Sequence, residues 1–79
     1  MNRPAQLQIN QSGAWRAVLV FDAGHVPDEF FQAAEDLVRL SGADPTMRIV
    51  ICEQSGSGAH TATRTVLMHW SRKTGWAKA

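Results

Sequence analysis

Strict alternation of polar and apolar residues marks the first element. In Gln6-Leu7-Gln8-Ile9-Asn10 every second residue is apolar, the period of a strand that buries one face. Gln11-Ser12-Gly13 then supplies turn chemistry, with Gly13 free to take a positive φ. The run Trp15-Arg16-Ala17-Val18-Leu19-Val20-Phe21 is rich in β-branched and aromatic residues and predicts a second strand. Alternation places Trp15, Ala17, Leu19 and Phe21 on one face, and Arg16, Val18, Val20 and Asp22 on the other. Both faces are largely apolar beyond Arg16, as in a central strand. The short connection makes the two strands a hairpin.

The period then changes. Ala23-Gly24-His25 breaks the strand pattern, and Val26-Pro27-Asp28-Glu29 reads as a helix start. Pro27 belongs in the first turn, where its missing N–H costs little, and Asp28 and Glu29 sit where the helix dipole favours negative charge. Phe30, Ala33, Ala34, Leu37, Val38 and Leu40 recur at spacings of three and four, so they are expected to form the buried face, with Phe31 at its edge. Glu29, Gln32, Glu35, Asp36 and Arg39 take the opposite side. Gly42 is placed to end the helix and Pro45 prevents its continuation.

Two further strands follow. Thr46-Met47-Arg48-Ile49-Val50-Ile51-Cys52-Glu53 puts Met47, Ile49 and Ile51 on one face and Arg48, Val50 and Cys52 on the other. The small-residue stretch Gln54-Ser55-Gly56-Ser57-Gly58-Ala59-His60 reads as a flexible hairpin connection. Arg64-Thr65-Val66-Leu67-Met68-His69-Trp70-Ser71 is the fourth strand, with Val66, Met68 and Trp70 on one face and Thr65, Leu67 and His69 on the other. Residues 72–79 are a basic tail with one tryptophan, open to adding a short turn or strand or to fraying as a loose end. The order β-β-α-β-β predicts one α+β domain over residues 1–79, a four-stranded, mainly antiparallel sheet with one helix on one face. That order is similar to the β-grasp folds. The closing Trp76-Ala77-Lys78-Ala79 is not the diglycine tail of the sulfur carriers and modifiers of that class, so a carrier role is not expected.

Composition narrows the class without deciding it. At 44% hydrophobic and 19% charged residues, the chain is too apolar for a disordered one. No apolar run approaches the 18 or so residues of a membrane span. The first residues have no signal-sequence core, and a single cysteine fits a reducing compartment; a cytoplasmic location without membrane contact is expected. Charge is segregated: residues 1–21 carry +2, residues 22–53 carry −5 and residues 54–79 carry +4, leaving the net +1. Such a chain presents separate acidic and basic surfaces unless the fold interleaves the segments.

The chemistry-bearing residues form no catalytic signature. Cys52, His60 and His69 are spaced unlike any structural zinc site, and a buried strand cysteine with a partly exposed histidine explains them. Ser55-Gly56-Ser57-Gly58 resembles part of a phosphate loop, but no Gly-Lys-Ser/Thr follows it. A fold this small has little room to enclose a substrate, so no enzyme, metal or cofactor is expected. Binding is the better class. An uncovered sheet face leaves Val18, Val20, Val50 and Leu67 as candidate interaction residues, and a protein partner or a homodimer, through that face or through an edge strand, would cover them. The alternative is weak binding of nucleic acid by Arg72, Lys73, Trp76 and Lys78, which combine an indole with three cations. In size, and in lacking enzymatic signatures, the chain resembles the small accessory and inhibitor proteins of phages and mobile elements, which would imply action by binding another protein.

Overall fold

A computed structural model describes residues 3–42, 44–54 and 60–79. Its elements are β1 (Pro4–Asn10), β2 (Trp15–Asp22), α1 (Asp28–Ser41), β3 (Thr46–Gln54), β4 (His60–Ser71) and β5 (Gly75–Lys78). The five strands form one sheet in the order β2-β1-β3-β4-β5, with every neighbouring pair antiparallel. β2 and β3 both flank β1 and run antiparallel to it, so they are parallel to each other. Joining two such strands requires a crossover, and α1 supplies it on one face of the sheet.

The sheet has five strands rather than the four expected from the sequence, because residues 75–78 are not a loose tail. Gly75 at φ 68° completes a turn after Ser71, with Thr74 N–H donating to Ser71 Oγ at 3.3 Å. Trp76 then pairs across from Trp70 and Lys78 across from Met68. The flexible connection expected between β3 and β4 falls largely on residues 55–59, outside the described residues, as does the phosphate-loop-like stretch. The flanking pair Gln54 and His60 closes the β3–β4 ladder.

The core lies between α1 and the sheet. Ala5, Leu7, Met47, Ile49 and Trp70 meet Val38 of α1, all nearly or fully buried. Phe21, Phe30, Phe31 and Trp76 form an aromatic chain from one edge strand to the other. Successive ring centroids are 4.6, 5.5 and 5.5 Å apart, within the range where tilted and edge-on rings attract. The Trp76 indole N–H also donates to the Phe31 carbonyl at 3.0 Å.

Of three register irregularities, one in β1–β2 and two in β3–β4, two change the faces expected for the candidate residues. The β1–β2 register shifts between Leu7 and Gln8, so that Leu7 opposes Leu19 but Gln8 opposes Ala17. Val18 is the extra residue, and the phase of β2 flips there. Leu19 and Phe21 stay on the core side, while Trp15 and Ala17 lie opposite Asn10 and Gln8 on the open face. In β4 the shift falls between Met68, opposite Ile49, and Val66, opposite Val50. Leu67 is the bulge residue, packed against the core instead of facing away from it.

Loss of β5 is therefore expected to be costly. Trp76→Ala should lower unfolding stability by about 2–3 kcal/mol in urea denaturation, since a half-buried indole loses its ring contacts and its hydrogen bond. A change under about 0.5 kcal/mol would mean that β5 contributes nothing.

Candidate interaction surface

The helix begins at Pro27, which caps it in an extended conformation, and ends at Gly42 with φ 74°. Its apolar residues form two parallel stripes, each with the 3-4-3 spacing of a helix seam. Phe31, Ala34, Val38 and Ser41 make one stripe; Phe30, Ala33, Leu37 and Leu40 make the other. The sheet takes the first. Val38 is 2% exposed, and Phe31 packs on Trp76. The second stripe is turned aside: only Phe30 reaches the sheet, through Phe21. Leu37 is 69% exposed and Leu40 87%, which corrects their expected place in the core. Phe31, expected at the margin, sits on the buried stripe.

The position of α1 is fixed at its C-terminal end. The Val38 carbonyl accepts from Ser41 Oγ at 2.6 Å and from the Arg72 guanidinium at 3.3 Å. Arg72 also pairs with Asp44 at 3.3 Å. A helix-terminal carbonyl that would lack a partner is thus tied to the β4–β5 turn. On the solvent side, Glu35 and Arg39 form an ion pair at 2.6 Å and Gln32 donates to Asp36 at 2.8 Å.

An apolar groove of ≈ 280 Å³ lies between the outer stripe and edge strand β2, lined among others by Ile9, Val18, Leu19, Phe30, Ala33 and Leu37. Val18 and Leu19 are 48% and 41% exposed. The groove, Leu37 and Leu40 together form one apolar surface along the side of the helix, the kind of exposed patch that marks an interaction site.

The structure does not bring the four sequence-predicted interaction residues together. Buried Val50 and half-buried Val20 flank Gln6 on the open face, whereas Leu67 packs on the helix side and Val18 lines the groove. The centre of the open sheet face is polar instead. Gln8 donates to Gln6 at 2.7 Å and accepts from Arg48 Nε at 2.6 Å, and the Arg48 guanidinium stacks 4.0 Å from the centre of the Trp15 ring. This cross-strand ladder gives the middle of that face polar partners, beside exposed Trp15.

The predicted nucleic-acid set is likewise divided. Trp76 is held by Phe31 and Arg72 by Val38 and Asp44, so neither presents a free platform or a free cation. Lys73 and Lys78 are exposed. Cys52 is buried, and burial pushes its thiol above the usual range, opposite to the shift that activates a nucleophile. Among the described residues no group of three or more His, Cys, Asp or Glu gathers as metal ligands, and no helix is long and apolar enough to cross a membrane.

No protein-family model, curated protein or solved structure matches the chain.

Sequence reasoning placed Leu37 and Leu40 correctly on an apolar helix side but assigned that side to the core. The signal that separates them is the doubled stripe, which is wider than one sheet contact needs. Two measurements check this geometry. In chemical denaturation of dilute protein, Leu37→Ala should change stability by less than about 0.5 kcal/mol, whereas Val38→Ala should cost about 2 kcal/mol; the reverse order would put the wrong stripe on the sheet. At pH 8, Cys52 should react with a thiol reagent on the order of a hundredfold more slowly in native than in denatured protein. Equal rates would contradict its burial.

Proposed function

We propose that this chain is a non-enzymatic protein-binding module whose occupant is a second copy of itself, paired through the outer stripe of α1. The doubled stripe is the observation that supports this reading. A 3-4-3 seam with two leucines in water lacks only a partner helix. An antiparallel copy related by a two-fold axis through Leu37 sets Leu37 against its counterpart and Leu40 over the small Ala33 of the other helix, filling space without a clash. The antiparallel arrangement also sets the two helix dipoles favourably.

Pairing through the exposed edge of β2 is less favourable. The bulge at Val18 breaks the ladder that an added strand would continue, a common guard on sheet edges. The seam is short, so the dimer is expected to be weak and concentration-dependent.

Sedimentation velocity tests the reading. The native chain should shift from its 8.7 kDa monomer toward a dimer as concentration rises into the high micromolar range. Leu37→Glu and Leu40→Glu should each remain monomeric with unfolding stability retained. A native chain that stays monomeric, or a dimer untouched by both substitutions, would rule out this surface. Recovery of a different protein on the same seam, without self-association, would also overturn the proposed occupant.

A further inference from the structure

A second cleft lies between α1 and the sheet, sharing no lining residue with the groove beside the leucine seam. It measures ≈ 320 Å³, within the range of small-molecule sites. Phe31 of α1 and Val26 just before it line the helix side. Phe21, Leu67 and Met68 line the sheet side. The walls are therefore apolar, but Arg3 and Lys78 line the same cleft from the two ends of the chain. Both side chains are exposed, and among the described residues neither forms an ion pair.

The carboxylate at that end of β2 is engaged by neighbouring groups. Asp22 Oδ1 accepts the backbone N–H groups of Arg3 at 3.3 Å and Gly24 at 2.9 Å, and Oδ2 lies 2.9 Å from His25 Nδ1. No acidic side chain lines the cleft. Two cations beside an apolar wall, neither in an ion pair among the described residues, make a site for a ligand carrying both an anionic head and an apolar body.

We infer that this cleft binds a small amphipathic anion, a medium-chain linear carboxylate. The hydrocarbon chain leaves water against Phe21, Phe31 and Leu67. The carboxylate accepts charge-assisted hydrogen bonds from Arg3 and Lys78, strengthened by the low-dielectric wall beside them. A neutral or cationic amphiphile of equal length gains only the first of these interactions. No covalent step is involved. The site is independent of the leucine seam, so either can exist without the other.

Isothermal titration with sodium decanoate, below its micellar range, tests the assignment, with decyltrimethylammonium as the charge-reversed probe. Decanoate should bind saturably with one site per chain, and the ammonium compound should not. The exposed pair Arg3→Gln and Lys78→Gln should together weaken decanoate binding by about tenfold or more. Ala23→Phe adds bulk to the cleft lining and leaves charge unchanged, and it should block binding as well. Leu37→Glu, in the separate seam, should leave it intact. Absence of saturable binding, equal affinity in the double variant, equal affinity for both amphiphiles, or loss only in Leu37→Glu would each overturn the inference.

Discussion

The rotation of α1 about its own axis decides most of what this molecule presents to its surroundings, and Trp76 holds that rotation. Its indole N–H donates to the Phe31 carbonyl at 3.0 Å while its ring meets the Phe31 ring edge-on. Phe30 is held on the other side by Phe21 of the opposite edge strand. With both aromatic residues fixed, Val38 must enter the core and Leu37 must leave it, because neighbouring helix positions point about 100° apart. A rotation that buried Leu37 would break the Trp76 bond and withdraw Val38. The terminal strand β5 thus determines which half of the helix faces water.

Electrostatics reinforce the same placement. The chain is segregated into basic, acidic and basic segments, but the strand order β2-β1-β3-β4-β5 inserts the acidic segment's β3 between strands of the other two. Arg72 from the basic segment meets Asp44 from the acidic one and reaches the end of α1. This partly exposed pair contributes modestly by itself. Its importance lies in joining the helix end to the β4–β5 turn, the turn that also delivers Trp76. The remaining acids lie mainly along α1, where Arg39 and Gln32 engage Glu35 and Asp36.

Much of the fold was legible from residue pattern alone. The alternation in β1, the run of β3 and the helix from Pro27 to Gly42 follow from local chemistry. Val18 and Leu67 were misplaced because alternation assumes an unbroken ladder, and a bulge is visible only when the partner strand is known. Leu37 was misplaced for a related reason. A helix with stripes at 30/33/37/40 and 31/34/38/41 offers two equivalent docking faces, and the choice rests on Trp76, forty-five residues away from Phe31. The four residues of β5 are too few for a periodic signal and gain their strand geometry from the exposed edge of β4. The polar ladder of Gln6, Gln8 and Arg48 with Trp15 on the open face was not legible either, because it joins three strands whose order the sequence does not reveal.

The central claim is that the stripe excluded from the core is a surface for a second copy, with Leu37 on the two-fold axis. Oxidative cross-linking of Leu37→Cys tests it most directly, because the buried native Cys52 does not compete. The account predicts a covalent dimer that forms readily in dilute protein under mild oxidation, while Gln32→Cys on the polar side gives little. Equal cross-linking at both positions, or none at position 37, would contradict it.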